Sequence, residues 1–184
     1  SRARYFQIRG VGEREQYEGA PNPSVGYIID DIDLSSIGGI ATTFDLEQIE
    51  VLRGPQGTSY GAGSMAGTIR QVSNKPNLSE VEGKVEAGVS SISHGSTGYT
   101  SKGLINAPIA EDTFAIRASA YYTKFSGYLH NIAPGEDDIN DGTSKGAKIA
   151  ALWMINPDLT ADFSYFYHDY SDNGRPEDAD ATPY

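Results

Sequence analysis

Apolar and polar residues alternate one by one along several segments in the second half of this sequence, and this pattern limits the possible folds more than any other feature. The alternation is clear at residues 81–89, 113–123 and 159–169, and less clean at 98–107 and 146–155. A period of two residues places the two sets of side chains on opposite faces of a β-strand. The pattern therefore predicts five antiparallel strands in this half of the chain.

The connections between the predicted strands differ at the two ends of the sheet. Residues 108–112 and 156–158 form tight turns at one end, whereas residues 131–144 and the stretch from Ser171 onward, at the other end, are long and acidic. Only the first loop on that second side, around residues 95–97, is short. Strands of about ten residues with short turns at one end and longer loops at the other are typical of outer-membrane β-barrels. Aromatic residues lie near the two long loops, as in an aromatic girdle: Tyr121, Tyr122, Phe125, Tyr128, Tyr165, Phe166, Tyr167 and Tyr170.

Periodicity alone leaves two interpretations of these strands open. A transmembrane barrel needs about eight strands or more, so five strands fit one only as part of a longer chain. A soluble antiparallel sandwich alternates in the same way, with one face on its core and the other in water. The two interpretations differ in what covers the apolar face.

The first 76 residues are punctuated by glycine and lack the regular alternation. Four short apolar segments predict strands, at residues 5–11, 24–32, 49–52 and 68–73, and Asp30-Asp31 are expected to end the second of them in a turn. Asp45 is expected to cap a single helical turn over residues 46–48. The composition changes at Lys75-Pro76-Asn77, which predicts two domains: an α+β domain at 1–76 and the five strands at 77–184.

Charge and composition argue against several classes of function. The chain has 25 Asp and Glu residues against 14 Lys and Arg residues, a net charge of −11, so nucleic acid is not an expected partner. It has no cysteine, and its three histidines lie far apart in the sequence, so no disulfide or local metal motif is expected. The acidic run near residues 136–141 does not fit a calcium loop, because Ile139 occupies a ligand position.

No catalytic constellation is present in the sequence either. Close carboxylate pairs such as Asp30 and Asp31 have no accompanying nucleophile and base. The glycines near Gly61 do not form a phosphate-binding loop, because no G-K-[ST] sequence occurs. We therefore predict that the protein is not an enzyme and has no cofactor and no metal site.

Residues 45–69 read DLEQIEVLRGPQGTSYGAGSMAGTI, and this run resembles the plug domain of TonB-dependent outer-membrane receptors. Residues 8–12 are similar to the IRG strand of that family. Residues 25–32 are similar to its V-x-V-Y-I-D-G-V strand, with departures at Tyr27 and Ile28, where valine and tyrosine are usual, and at Asp31, where glycine is usual. After residues 73–76, which match the exit of such plugs, the sequence looks like the first barrel strands and their turns. The resemblance covers nearly all of the 184 residues.

This resemblance implies an α+β plug followed by the first five strands of a transmembrane β-barrel of about 22 strands, in the outer membrane of a Gram-negative bacterium. It implies energised uptake of a ligand such as a ferric siderophore, haem, cobalamin or a glycan. The implied partners are outer-membrane lipid, the ligand and the TonB complex, which acts through a peptide absent from this sequence. The alternative from another class is a soluble, surface-exposed adhesion or carbohydrate-binding β-domain. A passive porin is disfavoured, because porins lack the plug run.

Two groups of candidate residues follow from the resemblance. Arg9 and Arg53 each end a predicted strand and precede a glycine, and they resemble plug arginines that pair with carboxylates of the barrel wall. Glu50 is a candidate local partner for Arg53. The plug motif loop, residues 54–67, contains residues that permit positive φ angles and close backbone approach or that carry the family motif: Gly54, Pro55, Gly57, Tyr60, Gly61 and Gly67.

A third group of candidate residues comes from the cleanest alternating strand. Its apolar side chains are Phe114, Ile116, Ala118 and Ala120, and they are expected to face lipid. Its polar side chains, including Arg117 and Ser119, are expected to face the opposite side.

Overall fold

The computed structural model describes residues 6–12, 24–35, 44–60, 63–93, 95–127 and 141–172. The chain divides into two compact units, an N-terminal unit of residues 2–74 and a C-terminal unit of residues 75–184. Within the described ranges, no helix is long and apolar enough to cross a membrane.

The N-terminal unit contains short strands and one helical turn. Its elements are β1 (Gln7–Ile8), β2 (Val11–Gly12), β3 (Val25–Ile29), β4 (Ile32–Asp33), β5 (Leu46–Arg53), α1 (Gly57–Tyr60) and β6 (Gly67–Ser73). Strands β1 and β2 form a hairpin, and the other strands form a four-stranded sheet in the order β4-β3-β6-β5. Strands β3 and β6 are parallel, and the outer pairs are antiparallel. Tyr27 is buried in β3, where its ring stacks on Phe6 at 5.3 Å.

Three local predictions for this unit are wrong. The strand expected at 5–11 is a hairpin, because Arg9 and Gly10 both have positive φ angles and reverse the backbone between Ile8 and Val11. The strand expected at 24–32 is likewise interrupted by a tight turn, described below. No helical turn follows Asp45: its φ angle is +59°, and Leu46 already pairs with Ser73 in the sheet.

The C-terminal unit is an antiparallel meander. Its strands are β7 (Glu82–Ser91), β8 (Thr97–Ala110), β9 (Phe114–Phe125), β10 (Gly142–Asn156) and β11 (Leu159–Asp172), and they lie in sequence order in one five-stranded sheet. The five predicted strands are therefore confirmed, and each extends further than the alternation suggested. The two shortest connections, β8–β9 and β10–β11, lie at one end of the sheet. The short β7–β8 connection and the long β9–β10 connection lie at the other.

Strand register gives this sheet an apolar face and a polar face. One row of directly paired residues runs Val85, Gly103, Ala120, Ala147 and Tyr167, and the next row on the same face runs Gly83, Ile105, Ala118, Ile149 and Tyr165. Large side chains of this apolar face are at least half exposed, among them Val85, Ile105, Ile149, Trp153, Phe163 and Tyr165. Within the described residues, therefore, no second layer covers this face.

The polar face carries a row formed by Glu86, Lys102, Tyr121, Gly146 and His168. The Tyr121 ring lies across Gly146, and its hydroxyl is hydrogen-bonded to Nδ1 of His168 on the far strand. A Cβ atom on Gly146 would lie 2.6 Å from the ring, so only glycine leaves room for the Tyr121 ring to lie over this position. Of the two neighbouring girdle candidates, Tyr122 lies on the apolar face, but Tyr121 lies on the polar face.

We expect Gly146→Ala to lower the free energy of unfolding of the protein by about 1–3 kcal/mol, because the Tyr121 ring must move and leave His168. Gly103→Ala is the matched control, since a Cβ there meets only the Lys84 carbonyl oxygen, at 3.8 Å. That control should be neutral or slightly stabilising. Denaturant unfolding in detergent measures both variants, and equal effects at the two glycines would refute the stated role of Tyr121.

Candidate functional site

The plug motif loop is closed at its base by backbone hydrogen bonds that continue the pairing of β5 with β6. The Gly54 amide donates to the Ala66 carbonyl at 3.0 Å, and the Gln56 amide donates to the Ser64 carbonyl at 2.9 Å. The Ala66 amide donates to the Ser24 carbonyl at 2.8 Å, which attaches the loop to the residue before β3. Gly61 lies outside the described residues, and α1 forms the described part of the loop's outer end.

Two glycines of this loop have the conformation that the sequence led us to expect. Gly54 has a φ angle of +92° and Gly67 one of +149°, and an L side chain rarely adopts either. At Gly67, a Cβ would also collide with the Leu52 carbonyl oxygen and lie 2.7 Å from Cδ1 of Ile8. Gly67 is therefore the point at which β1, β5 and β6 approach one another most closely.

The two candidate arginines lie on either side of Gly67. Arg53 pairs with it across β5 and β6, and Arg9 follows Ile8, which packs against it. Both arginine residues are exposed within the N-terminal unit. The close approach of Ile8 to Gly67 thus brings near each other two arginine positions that are 44 residues apart in the sequence.

Glu50 is not the partner of Arg53, so that expectation is wrong. Glu50 lies directly opposite Arg70 across β5 and β6, and its carboxylate accepts a hydrogen bond from NH1 of Arg70 at 3.1 Å. Arg53 is three positions from Glu50 along the same strand, so the two side chains leave opposite faces.

Arg70 itself was not identified from the sequence, although its guanidinium forms three hydrogen bonds to carboxylates of this unit. Its Nε and NH2 atoms donate to Asp31 Oδ1 at 3.1 and 2.7 Å, in addition to the bond to Glu50. Hydrogen bonds to Asp31 first and Glu50 second raise the pKa of Arg70 above its ordinary value. A raised arginine pKa affects stability only at very alkaline pH, so the guanidinium stays charged across the physiological range.

Asp31 and Asp30 form the two-residue turn of the β3–β4 hairpin. Their φ angles are +68° and +47°, and Ile29 pairs directly with Ile32. Two successive left-handed residues are the mark of a tight type I′ turn, which normally favours glycine or asparagine. Asp30 Oδ1 accepts the Ser73 amide at 2.7 Å and Asp31 Oδ1 accepts hydrogen bonds from Arg70, so both aspartates of the turn are held by their side chains.

A second unanticipated group lies on the polar face of the C-terminal unit. Glu82, Asn106 and Arg117 are direct neighbours across β7, β8 and β9. Arg117 is only 5% exposed, and its NH1 donates to Glu82 Oε2 at 2.8 Å. Asn106 is completely buried. Among the residues that the structure describes, no cluster of three or more His, Asp or Glu side chains could hold a metal ion.

Comparison with known proteins decides the family. The model described as TonB-dependent Receptor Plug Domain matches residues 1–68. The pesticin receptors of Yersinia enterocolitica and Yersinia pestis are each 32% identical to this chain over 134 residues, which is 73% of this chain and 19% of the relative. The chain belongs to the TonB-dependent receptors.

TonB-dependent receptors are outer-membrane proteins of Gram-negative bacteria, and this membership sets aside the soluble adhesion domain. The fold agrees with the family: a plug with a small mixed sheet, followed by antiparallel strands that do not close a barrel by themselves. The chain spans about a fifth of the length of the curated relatives that it matches.

The four residues expected to face lipid all lie on the apolar face of the receptor's five-stranded sheet. Ala120, Ala118 and Ile116 occupy successive rows, and Phe114 pairs with Trp153 at the end with the short turns. Arg117 and Ser119 lie on the polar face, as the alternation requires.

Proposed function

We propose that this chain forms the plug and first barrel strands of a receptor that takes up a small ligand with energy from the TonB complex. The observation that carries the proposal is the plug match at residues 1–68, followed directly by a sheet with one exposed apolar face. A ferric siderophore, haem, cobalamin and a glycan are the candidate ligands. The relatives' name adds pesticin as a further ligand to test.

The two faces of the sheet support a membrane location for these strands. The exposed Val85, Phe163 and Tyr165 side chains form part of a large apolar surface. Contact of such a surface with water is unfavourable, whereas contact with the hydrocarbon of a membrane is not. The opposite face carries ion pairs such as Lys84–Glu86 at 2.6 Å, and Lys145 lies at the loop end of the apolar face. We therefore propose that Phe114, Ile116, Ala118 and Ala120 face lipid and that the polar face lines the barrel interior.

Ligand uptake by cells tests this function. Cells that express the receptor are given each candidate ligand in labelled form, with matched strains that lack the receptor or a working TonB complex. We expect one ligand to accumulate only when both are present. Accumulation of a ligand that needs the receptor but not TonB would indicate a passive pore and contradict the proposal.

We further propose that Arg9 and Arg53 hold the plug in the barrel. Both are exposed on the N-terminal unit and flank Gly67. A guanidinium enclosed in a lumen needs carboxylates, because an unpaired buried charge is strongly destabilising. Arginine suits a reversible attachment, since its planar fork binds a carboxylate at two points and stays charged. Carboxylates of later barrel strands would be the partners.

The double variant Arg9→Ala/Arg53→Ala is expected to loosen the plug without unfolding the barrel. The measurement is the conductance of the receptor in planar bilayers over a urea series, and the variant should open at a lower urea concentration than the parent. Gln48→Ala, an exposed change on the same strand as Arg53, is the control. If the double variant begins to conduct at the same urea concentration as the parent, the two arginines do not hold the plug and are ordinary solvated residues.

A further inference from the structure

Residues 75–81, which we call the strap, connect β6 to β7 and are bound to the five-stranded sheet at three places. Lys75 forms an ion pair of 3.1 Å with Asp162 on β11. The Asn77 amide donates to Asn106 Oδ1 on β8 at 2.9 Å. In the turn between β8 and β9, the Asp112 amide donates to the Leu78 carbonyl at 3.2 Å. The strap is therefore part of the C-terminal unit.

Asn106 is the centre of this attachment. Asn106 accepts the Asn77 amide at its Oδ1. Its Nδ2 donates to the Asn77 carbonyl at 2.9 Å and to the Glu80 carbonyl at 2.6 Å. The side-chain amide thus pairs with both backbone groups of Asn77, as a neighbouring strand would. These bonds use one acceptor and both donors of the primary amide. Because Asn106 is completely buried, water cannot replace any bond that is lost.

The strap is also ordered from within and at its outer side. Asn77 Oδ1 accepts the amides of Ser79 and Glu80 at 2.9 and 3.3 Å, which forms a local turn. The Ser79 hydroxyl donates to Asp112 Oδ1 at 3.1 Å. Immediately after the strap, Glu82 is bound by the buried Arg117. Together these contacts tie the segment that follows Asn74 to the barrel strands.

The residues just before the strap are tied to the plug instead. The Asn74 amide donates to the Asp45 carbonyl at 3.2 Å, and Asn74 Nδ2 donates to Asp45 Oδ1 at 3.1 Å. The Ser73 amide donates to Asp30 Oδ1 at 2.7 Å. The two sets of attachments therefore meet at the link between Asn74 and Lys75. The sequence-predicted boundary at residues 76–77 falls inside the strap.

We propose that Asn106 is a positioning residue that anchors the strap to the barrel strands, so that plug movement pivots at the Asn74–Lys75 link. This proposal rests on the proposed function, because a pivot has a purpose only if the plug is displaced during uptake. While the strap stays bound to the barrel strands, a force that pulls on the plug moves the chain only as far as residue 74. Without the anchor, the strap would be pulled away and the load would reach the first barrel strand.

Hydrogen exchange of the whole receptor in detergent at pH 7, without ligand, tests the anchor. Asn106→Asp keeps the size of the side chain but cannot donate, and it places a carboxylate against the Asn77 and Glu80 carbonyls. We expect the Asn77 and Asp112 amides to exchange about tenfold faster or more. Asn156→Asp is the matched control, because Asn156 only accepts one bond, from the exposed Asp158 amide at 3.0 Å. Ser79→Ala is a milder substitution and should increase amide exchange less, and only in the strap. It replaces Asn106→Asp as the test if that variant fails to fold.

Pulling on the plug of the membrane-inserted receptor in a force spectrometer tests the pivot. In Asn106→Asp, release of the seven strap residues should lengthen the extracted polypeptide by about 25 Å, at about 3.5 Å per residue. Asn156→Asp should match the parent. Equal extracted lengths and equal exchange in the parent, Asn106→Asp and Ser79→Ala would overturn the proposal. Neither readout requires ligand or TonB, so failure of the proposed uptake function would leave these results unaffected.

Discussion

Gly67→Ala is expected to destabilise the plug by about 3 kcal/mol or more, a large effect for the addition of one methyl group. Two costs combine at this position: the φ angle of +149° strains any L side chain, and the new Cβ collides with the Leu52 carbonyl oxygen. The carbonyl cannot yield easily, because the neighbouring residues Arg53 and Thr68 are fixed by the β5–β6 pairing. Hydrogen exchange of plug amides in the whole receptor, over a denaturant series, measures the loss.

Two other glycines of the plug motif loop separate the costs. Gly54 has a φ angle of +92° but nothing within 4 Å of a built Cβ, so Gly54→Ala should cost only about 1–2 kcal/mol of backbone strain. Gly57 begins the helical turn with neither a positive φ angle nor a close neighbour, so Gly57→Ala should be neutral or stabilising. If alanine lowered the stability of the plug equally at all three positions, the backbone conformation and close contacts of these glycines would not explain why glycine occurs there.

Ala118→Lys is expected to lower the free energy of unfolding of the membrane-inserted receptor by about 2–4 kcal/mol. Ala118 lies in the row that also contains Ile105, Ile149 and Tyr165, near the middle of the apolar face. If this face meets hydrocarbon, the new ammonium has no carboxylate in its row and must leave water. Denaturant unfolding in lipid vesicles measures the change.

Ser119→Lys is the matched control for that substitution, since the next residue of the same strand lies on the opposite face. Its neighbour across β9 and β10 is Lys148, so some repulsion is expected, but less than about 1 kcal/mol. A larger loss at position 119 than at position 118 would show that the proposed faces are inverted.

The C-terminal strands could be predicted because the two faces of their antiparallel sheet meet different environments, and this requires apolar and polar residues to alternate along each strand. Residues 113–123 alternate over most of their length, with Ala115 as an exception on the polar side, and the observed strand covers Phe114–Phe125. The aromatic pattern was less informative: adjacent tyrosines necessarily take opposite faces, so Tyr121 and Tyr122 could not both belong to one girdle.

The plug was harder to predict, because its central strand does not alternate. Residues 25–28 of β3 are all buried although successive side chains point to opposite faces of the sheet, so both faces are covered and no period of two is visible. The turn at Asp30-Asp31 was expected from its two aspartates, but the hairpin turn at Arg9-Gly10 was missed. Arg9 is not glycine, and its positive φ angle is sustained by the fold.

The most densely bonded side chains, Arg70 and Asn106, could not be identified from sequence because their partners are set by register and loop path. Arg70 reaches Asp31 and Glu50 only because β6 lies between β3 and β5. Asn106 binds Asn77 only because the strap runs back over β8. In each case the partners are at least 20 residues away in the sequence.

The central claim is that one face of the five strands meets lipid and the other lines the barrel interior. Spin labels placed singly at positions 114–121 of the receptor in bilayers test it most directly, by their accessibility to oxygen and to a water-soluble paramagnetic reagent. We predict a period of two, with labels at 116, 118 and 120 accessible to oxygen and labels at 117, 119 and 121 shielded from it. The inverse pattern, or water-accessible labels at both sets of positions, would contradict it.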